Sequence, residues 1–177
     1  MRFLPVFAVA LSLASCASSP PPDRTSGISV ALEAICDLRE VIELSGRDPI
    51  WVASRTRPFS DYATLFEKTS GRPVTTEALT EIRREEAAYI DTFVSAEVPR
   101  SSCRRLRITD GVPPPNIGAL EISDIVKNPF SSPPSRGVFA RISLGQLNGA
   151  RHVWVELMQA PGGEWNAVRT VDLGRQD

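Results

Sequence analysis

The sequence predicts an α+β domain in which N-terminal helices pack on a C-terminal antiparallel β-meander. Before residue 100, apolar residues recur every three to four positions, as they do on one face of a helix. From Leu106 onward they alternate with polar residues, as they do in half-buried strands. Asn148-Gly149 lies between two alternating runs and is typical of a two-residue hairpin turn. Helices followed by a series of strands are typical of α+β proteins.

A long amphipathic helix is predicted over residues 28–45. Thr25 or Ser26 can cap its start, and Gly46 can adopt the left-handed conformation that ends it. The apolar residues that share one face at helical spacing are Ile28, Ala31, Leu32, Ile35, Leu38 and Ile42.

Two short elements and a second long helix are predicted next. Residues 50–54 are predicted to be a short strand or a first helical turn capped by Asp48, and residues 60–69 a short helix that ends before Gly71. A second long helix begins at residue 75 or 76 and continues to about residue 97, because a proline follows at position 99.

Glu86 lies near the centre of the apolar stripe of this second long helix, one turn after Arg83. A carboxylate on a core-facing stripe is either paired or has a raised pKa. Glu86 is therefore either an acid that lines a pocket or the partner of Arg83 at the edge of a partly buried helix.

Alternation with a period of two predicts the strands of the meander. They cover residues 106–109, 120–126, 138–144, 153–157 and 165–173. One face of such a sheet must be covered, and the apolar stripes of the two long helices are available to cover it.

One group of residues on the predicted sheet has the chemistry of a ligand site. His152, Trp154, Glu156 and Met158 share the face opposite Val153, Val155 and Leu157. Arg141 on the preceding strand and Arg169 on the last strand can face the same way. The group is either a ligand platform or a solvent-exposed face with cross-strand ion pairs.

The sequence contains no motif diagnostic of catalysis, and we assign no catalytic residue. His152 is the only histidine, so a metal site built on several histidines is excluded, and beside a hairpin it is expected at the surface. No metal and no cofactor are expected. The formal charge of −1 gives no basic surface for nucleic acid. A cluster around Cys103 is either a patch for anionic envelope polymers or headgroups, or a solvated face: Arg100, Arg104, Arg105 and Arg107.

The order of helices and strands resembles the NTF2-like or cystatin-like layout, in which helices pack into a curved antiparallel sheet. The resemblance covers residues 28–173 and rests on element order and on the closing turn and strand at Gly162-Gly163-Glu164-Trp165. It implies a cavity between the helices and the sheet, as NTF2-like domains often have.

The N-terminus resembles that of a bacterial lipoprotein. A charged start, Met1-Arg2, and a short apolar run lead to Leu13-Ala14-Ser15-Cys16, which has the lipobox pattern. The resemblance implies that residues 1–15 are a signal peptide and that Cys16 carries lipid. Residues 16–26, rich in Ser and Pro, would form a tether to a single domain over residues 27–177.

Ala17 and Ser18 follow the cysteine instead of the aspartate that retains lipoproteins at the inner membrane. The resemblance therefore favours the periplasmic side of the outer membrane. The implied partners are the membrane, through the lipid on Cys16, and other envelope proteins or polymers.

If Cys16 carries lipid, Cys36 and Cys103 remain as an even pair in an oxidising compartment. Either they form a disulfide, or they are two reduced and buried thiols.

These features predict an envelope lipoprotein that serves as a non-enzymatic binding or assembly module. The alternative is a small-ligand-binding or enzymatic domain with a cavity between helices and sheet, on the order of several hundred Å³.

Overall fold

The computed structural model describes residues 24–44, 49–90, 103–109, 118–129, 131, 135–143 and 149–176. The helices are α1 (Arg24–Cys36), α2 (Arg39–Leu44), α3 (Ala63–Ser70) and α4 (Thr76–Ile90), with a short 3-10 helix at Phe59–Asp61. The strands are β1 (Ile50–Ala53), β2 (Leu106–Thr109), β3 (Ala119–Ile122), β4 (Val126–Lys127), β5 (Arg136–Ser143), β6 (Ala150–Gln159) and β7 (Trp165–Gln176). The predicted signal peptide and Cys16 lie outside these residues. Helix α1 begins at Arg24, within the segment predicted as a tether.

The strands form one mixed sheet of seven strands in the order β2-β1-β3-β5-β6-β7, with β4 paired to β5. The α+β class is confirmed, and β3, β5, β6 and β7 pair antiparallel as predicted. The prediction of a wholly antiparallel meander is wrong, because β1 lies between β2 and β3 and is parallel to both.

Helices cover both faces of the sheet. Helices α1 and α2 pack on one face against Val138, Val153 and Val155. The 3-10 helix, α3 and α4 pack on the other face, where Phe139 and Trp154 are buried. The two long helices predicted to share one face therefore lie on opposite faces, because the sheet has apolar side chains on both sides.

The first predicted helix is broken into α1 and α2 immediately after Cys36. The break shifts the helical phase, so that Val41 is buried while Ile42, which the continuous stripe placed in the core, is 43% exposed. No Gly or Pro marks this break. The disulfide-bonded Cys36 at the end of α1 is the structural feature that coincides with it.

Ser123 divides the predicted strand 120–126 into β3 and β4. Its buried hydroxyl accepts a hydrogen bond from Phe139 N at 2.9 Å and donates to Asp124 O at 2.8 Å. Leu120 belongs to the core on the α1 face, whereas Val126 belongs to the core on the α3 face. The alternation of the sequence run is therefore interrupted at this serine.

The predicted two-residue hairpin turn is wrong, although the two strands it joins do pair. Ser143 pairs with Ala150, and a two-residue turn at Asn148-Gly149 cannot produce this register. Gly149 has a φ of 131°, which explains the need for glycine there. The end of α3 is as predicted, because Gly71 adopts the left-handed conformation and its N–H donates to Glu67 O.

Cys36 and Cys103 form a disulfide in the structure, with their Cα atoms 6.1 Å apart. The bond joins the end of α1 to the residues before β2. Of the arginines around it, Arg107 lies over the Trp51 ring at 5.0 Å. Arg100 lies outside the described residues.

Candidate functional site

An open cleft lies between the C-terminal part of α3, the described residues between β4 and β5, and strands β6 and β7. Its volume is about 850 Å³, which is in the range of small-ligand sites. Its apolar lining includes Phe66, Trp154, Met158, Val168, Val171 and Leu173. Its polar lining includes Arg72, Asn128, Ser131, Ser135, Glu156 and Arg169.

Trp154 connects the cleft to the core on the α3 face. It lines the cleft from β6 but is only 4% exposed. Its ring packs edge-on against Phe59 and Phe66, with centroid distances of 6.0 and 5.3 Å. Its Nε1–H is buried and has no hydrogen-bond partner in the described part of the chain.

Glu156 and Arg169 face each other across β6 and β7. Glu156 does not pair with Arg169, however. Its Oε1 accepts a hydrogen bond from Ser135 Oγ at 2.5 Å. Within the residues that the structure describes, Arg169 is exposed and forms no ion pair.

A β-bulge shapes this part of β7. Glu156 pairs with Arg169 and Leu157 pairs with Ala167, so Val168 is an extra residue without a partner on β6. Both Val168 and Arg169 consequently line the cleft. Val168 is 48% exposed and Met158, on the neighbouring strand, is 58% exposed, so the cleft also presents open apolar surface.

The acidic residues of α4 near the cleft already have cationic partners. Glu85 lies 3.1 Å from Lys127 Nζ and 3.6 Å from Arg136 Nη1. Lys127 Nζ also donates a hydrogen bond to Glu81, and its hydrogen bonds to these two carboxylates raise the pKa of Lys127. This network lies at the side of the cleft that Arg136 lines.

Two of the five predicted ligand residues lie elsewhere. Arg141 Nη1 is 3.3 Å from Glu121, which also lies 3.2 Å from Arg57. Burial, and next the Glu121 carboxylate, raise the pKa of Tyr62 beside them.

Glu86 is buried, and its Oε1 accepts a hydrogen bond from Ser60 N at 3.2 Å. Glu86 therefore binds the backbone of the 3-10 helix. Arg83, its expected partner, is exposed.

His152 is buried, and the expectation of a surface histidine is wrong. Its ring stacks on Phe139 with a centroid distance of 5.7 Å, and neither ring nitrogen has a partner in the described part of the molecule. Burial, and next the Arg141 charge, lower the pKa of His152. The imidazole is therefore part of the buried layer that contains Phe139.

The structure thus brings three predicted residues, Trp154, Glu156 and Arg169, to one cleft. Arg72 and Ser135 also line it, and no feature of the sequence indicated them. Within the described ranges, no three His, Cys, Asp or Glu side chains lie close enough to hold a metal ion. None of the helices in those ranges is long and apolar enough to cross a membrane.

Comparison with protein-family models, with curated proteins and with solved structures found no match for this chain.

Proposed function

We propose that the protein is an envelope lipoprotein whose folded domain is a binding module, and that the ligand occupies the cleft between α3 and the β6–β7 strands. The observation that carries this proposal is the meeting of Trp154, Glu156 and Arg169 around an opening of about 850 Å³. Both expectations from the sequence include binding: the first is a binding or assembly module, and the alternative is a small-ligand-binding or enzymatic domain. The cleft supports the binding part of each.

The chemistry of the cleft favours binding over catalysis. General acid–base catalysis needs a titratable group that can reach the substrate. Glu156 is held by Ser135, and Asp172 is held by Arg151. His152, the only histidine of the chain, does not line the cleft.

The location is proposed from the sequence. Residues 1–15 would be removed, and lipid on Cys16 would hold the domain on the periplasmic side of the outer membrane, where its partners are the membrane and other envelope proteins or polymers. The NTF2-like or cystatin-like resemblance stays a prediction, and the parallel pairing of β1 with β2 and β3 departs from it.

Site-specific photo-crosslinking in cells tests the binding proposal. A photoreactive residue replaces Met158 in the cleft, and a matched variant replaces Ile42, which is 43% exposed on α2 at the opposite face of the sheet. We expect a discrete adduct from position 158 and none from position 42. Equal adducts from both positions, or none from position 158, would contradict the proposal.

Lipid labelling tests the anchor separately. Cys16→Ala should block incorporation of labelled lipid and leave an uncut precursor. Unchanged labelling of Cys16→Ala would reject lipidation at this residue without bearing on the cleft.

A further inference from the structure

The cleft contains a cation, Arg169, for which the described part of the chain provides no counter-ion. Arg169 faces Glu156 across β6 and β7, which is the usual geometry of a cross-strand ion pair. Glu156 instead accepts a hydrogen bond from Ser135, and within the described residues Arg169 forms no ion pair. The other carboxylates nearby are occupied, Glu85 by Lys127 and Arg136, and Asp172 by Arg151.

Open apolar surface lies directly beside this cation. The bulge in β7 puts Val168 next to Arg169 on the wall of the cleft, and Met158 lies on the neighbouring strand. Val168 and Met158 are about half exposed, although large apolar side chains usually have less contact with water. Bulges of this kind often re-aim side chains at binding sites.

We propose that the cleft binds an anionic amphiphile, whose carboxylate or phosphate head pairs with Arg169 and whose hydrocarbon chain covers Val168 and Met158. This inference rests on the proposed function, because it assigns the ligand of the same cleft. A neutral apolar ligand would leave the Arg169 charge without a counter-ion, and a small free anion would leave the apolar surface in water. An anionic amphiphile supplies a counter-ion for Arg169 and a hydrocarbon chain for the apolar surface. Guanidinium groups bind carboxylate and phosphate oxygens strongly.

The test uses the full-length protein in phosphatidylcholine vesicles that contain a trace of a diazirine-bearing probe. One probe is the palmitate analogue, with an anionic head, and the other is the hexadecanol analogue, with the same chain and a neutral head. After illumination, mass spectrometry quantifies the adducts on the peptides that carry Met158 and Val168. We expect the acid to label them about ten-fold more than the alcohol, because a charged hydrogen bond contributes about that much affinity.

Two variants assign the preference to one side chain. Arg169→Gln should abolish the preference for the acid, whereas Arg175→Gln, on the same strand but outside the cleft lining, should keep it. Excess unlabelled dodecanoate or dodecyl phosphate then competes with the probe, and the stronger competitor identifies the head as carboxylate or phosphate. Circular dichroism of both variants checks that the fold is retained.

Equal labelling by the acid and the alcohol, or a preference that survives in Arg169→Gln, would overturn the inference while leaving a ligand in the cleft. No labelling of the cleft by either probe would also overturn it. The proposed function is tested separately by photo-crosslinking from position 158 in cells, because that experiment does not depend on the class of ligand.

Discussion

The Trp154 indole lies directly over Gly137 of the neighbouring strand. A Cβ atom at position 137 would come within 2.3 Å of Trp154 Cζ2 and 2.8 Å of Val155 O. Glycine is therefore required here for close approach, since the contact would involve a ring packed against Phe59 and Phe66. The absence of one side chain on β5 allows Trp154 to occupy both the core and the cleft wall.

Gly137→Ala is expected to destabilise the protein by about 1–3 kcal/mol, because the indole must leave its packed position. Urea unfolding measures this change. Gly162→Ala is the matched control, since a Cβ there meets nothing within 4 Å. An equal and small effect of both substitutions would contradict the packing described for Trp154.

The positions of the strands could be predicted from periodicity, but the layering of the domain could not. Val138, Ala140 and Ile142 alternate as expected, yet the intervening Phe139 is also buried. The run from His152 to Val155 is likewise buried on both sides. Near-continuous burial indicates a sheet covered on both faces, whereas a period of two accounts for one face only.

The same distinction applies to the cleft. Trp154 and Glu156 are two positions apart on one strand, so alternation alone places them on one face. Arg169 joins them through the register of β7 and its bulge at Val168. Arg72 follows α3 and Ser135 precedes β5, and only tertiary packing brings such distant residues together.

Glu86 is expected to contribute to stability through Ser60. Glu86→Ala should lower the free energy of unfolding by about 1 kcal/mol, because the part-buried Ser60 N–H loses its acceptor. Glu86→Gln keeps a side-chain oxygen that can accept the Ser60 hydrogen bond, so it should lower the free energy of unfolding by less than Glu86→Ala. The free energies of unfolding are measured by chemical denaturation. The control is Arg83→Ala, an exposed substitution on the same helix, which should change the free energy of unfolding by no more than about 0.5 kcal/mol. A cost for Arg83→Ala as large as that for Glu86→Ala would instead indicate the Arg83 pair.

Reduction of the Cys36–Cys103 disulfide is expected to lower stability substantially. The bond closes a loop with a sequence separation of 67 residues, and the loop-entropy model gives about 4 kcal/mol for such a loop. Urea midpoints with and without reductant measure the effect, with the Cys36→Ser/Cys103→Ser double variant as a control that should not respond to reductant. Free thiols at both positions in unfolded, unreduced protein would contradict the bond.

His152 is expected to make stability depend on pH. Burial, and next the charge of Arg141, lower its pKa below the usual value of 6.5, so the unfolded chain binds a proton more readily than the folded protein. The contribution of neutral His152 is therefore complete above about pH 6.5 and is lost as the pH falls toward the lowered pKa. The unfolding free energy should decrease on acidification from neutrality, with a limiting slope of about 1.4 kcal/mol per pH unit. Urea titrations between neutrality and mild acid measure this slope. His152→Leu should remove it, because the chain contains no other histidine. An unchanged slope in His152→Leu would assign the pH dependence to another group.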